Sequence, residues 1–137
     1  MKHTLMIIKP DASSRNLIGE IIRRIEQSGF VIRAMRLETL SPDRAKAFYA
    51  VHKERPFYES LCRFMSSGPI VPMVLEKENA VDNLRTLIGA TNPKEAACGT
   101  LRYDLAVDVE KNSVHASDSP ENARKEIAFF FEGIDLD

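Results

Sequence analysis

The sequence predicts an α+β fold, a ferredoxin-like βαββαβ core in which a four-stranded antiparallel sheet is covered by helices. Three observations carry that prediction. Leu5, Met6, Ile7 and Ile8 form an unbroken apolar run, which reads as a strand buried on both faces. Two later stretches, Leu17 to Ile25 and Val81 to Ile88, repeat apolar residues with the helical period, and glycines follow them at positions 29 and 89. With the branched segments between them, the order becomes strand, helix, strand, strand, helix, strand, followed by one more helix, which is the split βαβ pattern.

Taken in order, the first strand is stopped by Pro10. A helix is expected after Ser13-Ser14, with Leu17, Ile18, Ile21, Ile22 and Ile25 on one face and Glu20 paired with Arg24. Phe30 to Leu40 reads as the second strand; from Met35 onward, Met35 and Leu37 alternate with Arg36 and Glu38 in the manner of a half-exposed strand. Ser41-Pro42 and Pro56 each open a short helix, the second carrying Phe57, Leu61, Phe64 and Met65. Gly68 to Leu75 is the third strand, where Pro72 should be confined to an edge or a bulge. Asn79 with Asp82 resembles a capping box ahead of the next helix. Residues 90–112 read as a long loop, Val114 to Ala116 as a short strand, and Ser119-Pro120 as the start of a last helix carrying Ala123, Ile127, Phe130 and Phe131, followed by an extended tail after Gly133.

At 137 residues the chain fits one domain, 1–137. Hydrophobic residues make up 44% and charged residues 28%, so whole-chain disorder is excluded. The net charge of -1 provides no global basic field for nucleic acid or an anionic membrane, so an anion site must come from locally placed residues. No apolar run approaches the roughly 20 residues of a membrane span, and the amino terminus lacks the pattern of a secretory signal; the expected location is the cytoplasm. Cys62 and Cys98 have no C-x-x-C spacing and are expected to be reduced structural thiols.

The chain has neither G-x-x-x-x-G-K-[ST] nor G-x-G-x-x-G, and its histidines lack the H-E-x-x-H spacing. Any nucleotide site is therefore built differently, and any metal should arrive with the substrate. His3 and His52 read as ordinary residues. His115 stands apart because Lys111-Asn112 precede it, Ala116-Ser117-Asp118-Ser119 follow it, and Glu126 lies about a turn and a half into the next helix. A carboxylate can fix an imidazole's tautomer, and hydroxyls can hold its orientation.

Asn112-Ser113-Val114-His115-Ala116-Ser117-Asp118-Ser119 resembles the active-site signature of nucleoside diphosphate kinases, and Ile8-Lys9-Pro10-Asp11 resembles that family's opening strand and lysine. Also similar in order and spacing are Gly19-Glu20-Ile21-Ile22, Tyr49, Glu54-Arg55-Pro56-Phe57, Met65-Ser66-Ser67-Gly68-Pro69, Gly89-Ala90-Thr91-Asn92-Pro93 and Gly99-Thr100-Leu101-Arg102. The resemblance covers essentially the whole chain, whose length is that of the bacterial short form. It implies reversible transfer of a γ-phosphate, mainly from ATP, between nucleoside triphosphates and diphosphates through a phosphohistidine, by a homo-oligomer that is a tetramer or a hexamer. Two departures are visible: Ala116 stands where the family most often has Gly, which implies an ordinary backbone there, and Pro72 occupies a strand position where a proline is not expected.

By the same resemblance His115 is the nucleophile, Glu126 and Ser117 orient its ring, and Tyr49 supports the cluster. Lys9 and Arg102 bind phosphates near the γ position, Arg85 and Thr91 bind the β-phosphate, and Mg²⁺ bridges the phosphates as part of the substrate. Asn112 with Lys9 contacts the ribose, while Phe57, Leu61 and Val109 clamp the base. Cations aimed at developing phosphate charge should matter more for turnover than for stability, so Lys9 and Arg102 are expected to be chiefly catalytic. Two other readings fit the same fold, a catalytically silent nucleotide-binding regulatory module and a nucleic-acid-binding protein. The intact Lys9, Arg102, His115 and Glu126 argue against the first, and the charge against the second.

Overall fold

The computed structural model describes residues 2–136. Their elements run β1 (His3–Ile8), α1 (Pro10–Ser13), α2 (Ile18–Gln27), β2 (Val31–Met35), α3 (Pro42–Phe48), α4 (Tyr58–Met65), β3 (Val71–Glu76), α5 (Ala80–Ile88), α6 (Leu101–Leu105), β4 (Val114–Ala116) and α7 (Pro120–Phe130). The four strands form one antiparallel sheet in the order β2-β3-β1-β4. This is the expected ferredoxin-like arrangement. The continuous apolar run of β1 is explained by its central place: Met6 and Ile8 enter a core with Ile21 and Ile25 of α2 and Leu84 and Ile88 of α5. Leu5 and Ile7 enter a second core on the other face, with Ala45 of α3, Cys62 and Met65 of α4 and Ile127 and Phe130 of α7.

Several boundaries differ from the sequence reading. Pro10 does not merely stop β1 but opens the short helix α1, and α2 begins at Ile18 without a side-chain cap. The anticipated helix at Pro56 starts at Tyr58. Asn79 precedes α5 in a left-handed conformation and makes no side-chain cap, so the expected capping box is absent. The loop 90–112 contains a 3₁₀ turn at Pro93–Glu95 and the helix α6, whose start is capped by the Thr100 hydroxyl accepting from the Tyr103 N–H. The expected caps at Ser41 and Ser119 are made. Both cysteines are free, and Cys98 is exposed rather than structural.

Pro72 lies in a central strand, contrary to expectation. Its carbonyl accepts the Arg36 N–H at 3.1 Å. In an antiparallel strand a residue's N–H and C=O point the same way, so the donor that proline lacks faces β2, not β1. The β2 ladder accordingly ends at Met35, and pairing resumes only at a bridge between Glu38 and Ile70. A register shift between Ile32 and Ala34 adds a second effect, because one extra residue turns the following side chains to the opposite face. Ile32 packs against the first core and Ala34 against the second. Beyond the shift, Met35 and Leu37 point into solvent, which the simple alternation did not anticipate.

Candidate active site

The pairing of β1 with β4 builds the site. Ile7 stands opposite His115 and Ile8 opposite Val114, so the residues leaving β1 meet those entering β4. The Lys9 N–H donates to the Ser113 carbonyl at 2.9 Å. The Lys9 ammonium, almost wholly buried, donates to Asn112 Oδ1 at 2.8 Å. Asn112 in turn donates from Nδ2 to the carbonyls of Thr91 at 3.0 Å and Val109 at 3.1 Å, which ties the loop 90–112 to the sheet.

His115 is held by α7. Its Nε2 lies 2.7 Å from Glu126 Oε1, and the Ser117 hydroxyl donates to the same oxygen at 2.8 Å. A carboxylate accepts, so Nε2 carries the hydrogen and the Nδ1 lone pair is free. Arg36 and Arg44 donate to the carbonyls of Phe130 and Phe129, satisfying the end of the helix that carries Glu126. The Tyr49 ring meets His115 edge-on, with centroids 6.2 Å apart. Phe48 does so more closely, at 5.4 Å, and it is a site residue that the sequence reading missed. Ala116 has no positive φ, as its replacement of glycine required.

Arg102 donates from Nη1 to the Gly89 carbonyl at 3.0 Å and from Nη2 to the Val114 carbonyl at 2.8 Å. It is therefore a strut between α5 and β4 as well as a cation, which revises the expectation that its role is chiefly catalytic. Gly89 is required by the same arrangement: its φ is +88°, and a Cβ there would collide with the Thr100 side chain. Arg85 approaches the Ala116 carbonyl from α5 at 3.4 Å. Phe57 is 47% exposed and Val109 also stands in solvent, while Leu61 is half-buried on α4. The Phe57 ring contacts that of His52, with centroids 5.4 Å apart.

The electrostatics suit an anion. Burial, reinforced by the Arg102 charge, lowers the Lys9 pKa to about 8, against the raising influence of Asp11, Glu110 and Asp108. Burial and the neighbouring Arg85 lower Arg102 to about 10. Burial raises the Tyr49 phenol far above its ordinary value and Glu126 adds to this, so its O–H remains a donor. Among the described residues, the Tyr49 hydroxyl and Arg102 Nε are buried without a hydrogen-bond partner.

The whole described chain, residues 2–136, matches the family model for nucleoside diphosphate kinase. The chain belongs to the nucleoside diphosphate kinase family. A protein of that name from Desulfatibacillum aliphaticivorans is 61% identical over 99% of both chains, and one from Campylobacter curvus is 59% identical over the same shares. The crystal structure of the nucleoside diphosphate kinase of Aquifex aeolicus superposes with a TM-score of 0.94 at 46% identity, covering 96% of each chain. That of Encephalitozoon cuniculi gives 0.93 at 38% identity, covering all of this chain and 92% of the other. The family's members are phosphotransferases that generally use a divalent metal. Among the described residues, no helix is long and apolar enough to cross a membrane.

Proposed function

We propose that this member of the nucleoside diphosphate kinase family moves the γ-phosphate of a nucleoside triphosphate, mainly ATP, to nucleoside diphosphates through a phosphohistidine at Nδ1 of His115. The observation that carries this reading is the Nε2 contact to Glu126, which leaves Nδ1 as the free nucleophilic nitrogen. In the first half-reaction, the Nδ1 lone pair forms a bond to the γ-phosphorus. The bond from that phosphorus to the bridging oxygen breaks, and the electron pair leaves with the diphosphate. A second diphosphate reverses these changes. Glu126 and Ser117 fix the ring and stabilise the charge that the imidazole gains.

Lys9, Arg102 and Arg85 supply positive charge for the phosphates, with Thr91 at the β-phosphate and the Tyr49 hydroxyl beside the histidine. Mg²⁺ enters bound to the nucleotide phosphates. Asn112 with Lys9 receives the ribose, and Phe57, Leu61 and Val109 grip the base by its faces. Parallel double-reciprocal plots for ATP and a diphosphate, with acid-labile label on the protein from γ-labelled ATP, test the reading; intersecting lines without label would mean direct transfer in a ternary complex, and neither turnover nor label would favour the catalytically silent module.

Lys9 gives a pH signature. Burial holds its pKa at about 8, below the ordinary lysine value of 10.5, so between those values the unfolded chain binds more protons than the folded one. Lys9 therefore makes the fold more stable as pH rises through that window, while the cation needed by the phosphates is lost. The expected result is an alkaline limb in kcat/KM near pH 8, absent in Lys9→Gln, without a matching fall in thermal midpoint.

Phe57 separates a clamp from a core residue. A core Phe→Ala change costs about 3–5 kcal/mol, whereas the half-exposed Phe57 should lose little stability when truncated. Its loss should raise the KM for ADP and CDP alike, because a stacking face does not read base edges. Melting curves and the two KM values check this.

The assembly proposed is a homo-oligomer, a tetramer or hexamer, in the cytoplasm. What supports a contact between copies is the edge strand β2, where Val31, Met35 and nearby Leu37 expose apolar surface beside an unpaired strand edge. Light scattering distinguishes the sizes.

A further inference from the structure

Four consecutive residues at the site are each fastened by a different side chain. Asn112 is held by Lys9, Val114 by Arg102 and His115 by Glu126, while Ser113, which takes no part in the chemistry above, is held by Asp11. Ser113 has a φ of +75°, and the Val114 N–H donates to the Asn112 carbonyl at 2.9 Å. Ser113 is thus the centre of a three-residue γ-turn of the strained, left-handed kind, a conformation that glycine takes readily and serine does not. Backbone strain of this sort persists only where its surroundings over-determine it.

The surroundings here are specific. Asp11 Oδ1 accepts the Ser113 N–H at 3.3 Å, and Asp11 Oδ2 accepts the Ser113 hydroxyl at 3.2 Å. Both residues are buried. Arg15 anchors the carboxylate, donating from Nη2 to Asp11 Oδ2 at 3.1 Å and to the Leu105 carbonyl at 2.8 Å, and from Nε to the Asp11 carbonyl at 2.8 Å. The turn directly joins Asn112 to β4. Relaxing residue 113 to an ordinary φ would swing Asn112 away from the Lys9 ammonium and loosen the strand that presents His115.

We propose that Asp11, braced by Arg15, is a positioning residue that holds Ser113 in its left-handed turn and so sets Asn112 and His115 for phosphoryl transfer. This rests on His115 being the phosphate carrier. The bonds that matter are those to the residue 113 backbone, so the need for them should vanish when that backbone prefers φ > 0 by itself. A purely electrostatic role of Asp11, through its charge beside Lys9, would persist whatever stands at 113.

The test measures the initial rate of labelling by γ-labelled ATP at saturating nucleotide, with the thermal midpoint, for the unmodified chain, Asp11→Ala, Ser113→Gly and the double variant. Asp11→Ala should label roughly 10- to 100-fold more slowly, the scale expected of a displaced reacting group. Ser113→Gly should label almost normally, and adding it to Asp11→Ala should restore the rate to within about threefold of Ser113→Gly alone. The double variant's thermal midpoint should stay below that of the unmodified chain, because the Arg15 ion pair is still missing, which separates placement from stability. A double variant no faster than Asp11→Ala, or a folded Asp11→Ala as fast as the unmodified chain, overturns the proposal. If the alanine variant does not fold, Asp11→Leu, which fills a similar volume and likewise cannot accept from the Ser113 N–H or hydroxyl, carries the same comparison. An unmodified chain that takes no label instead overturns the phosphohistidine reading beneath it.

Discussion

Replacing His115 with alanine is expected to abolish both labelling of the protein by the γ-phosphate of ATP and transfer to a diphosphate acceptor, leaving the fold intact. The covalent intermediate has no other carrier in this geometry, and a lost nucleophile is not replaced by its neighbours. Among the described residues, neither of the other two histidines is held by Glu126. His3 Nε2 pairs with Glu76 at 2.8 Å across β1 and β3, and His52 stacks on Tyr49. His3→Ala and His52→Ala should therefore keep turning over; retained turnover in His115→Ala, with loss in either of the others, would contradict the assignment.

Arg102→Ala should do two kinds of damage at once. Removing the guanidinium takes charge from the phosphate site and also leaves the part-buried carbonyl of Gly89 and the buried carbonyl of Val114 without this donor. Charge-assisted bonds of this kind suggest a loss of about 3 kcal/mol, or roughly 10 °C in thermal midpoint for a chain this size. Turnover should fall further than that instability explains, because the protein that remains folded still lacks the cation. Lys9→Met is the comparison: it removes the cost of burying the ammonium but leaves Asn112 Oδ1 without that donor, so the midpoint should change little at neutral pH while turnover collapses. Single-turnover rates set beside melting curves check both. A normal Arg102→Ala midpoint would mean that the two carbonyls find other donors.

The contrast between these two cations shows where the sequence was informative. The apolar run of β1, the periodic faces of α2 and α5 and the caps at Ser41 and Ser119 depend on local pattern and were legible directly. The candidate residues Lys9, Asn112, His115, Ser117 and Glu126 were legible because a motif placed them within short reach of one another or of β1, and the structure brings them together. Pro72 was misplaced because the direction of a missing donor depends on which neighbour lies on that side, which is a property of topology. The outward turn of Met35 and Leu37 follows from a one-residue register shift with no sequence signal. Phe48 reads as an ordinary apolar helix residue until α3 is packed against β4. The double role of Arg102 and the left-handed turn at Ser113 were hidden for the same reason, since their partners lie at Gly89 and Asp11, far along the chain.

The most direct measurement of the central claim is the position of phosphate on the isolated phosphoenzyme, read by phosphorus and proton-resolved histidine NMR after incubation with ATP and Mg²⁺. The geometry, with Glu126 occupying Nε2, predicts a single phosphate on Nδ1 of His115 that is discharged by any nucleoside diphosphate. Phosphate on Nε2, on the Ser117 hydroxyl, or on no residue at all would contradict it.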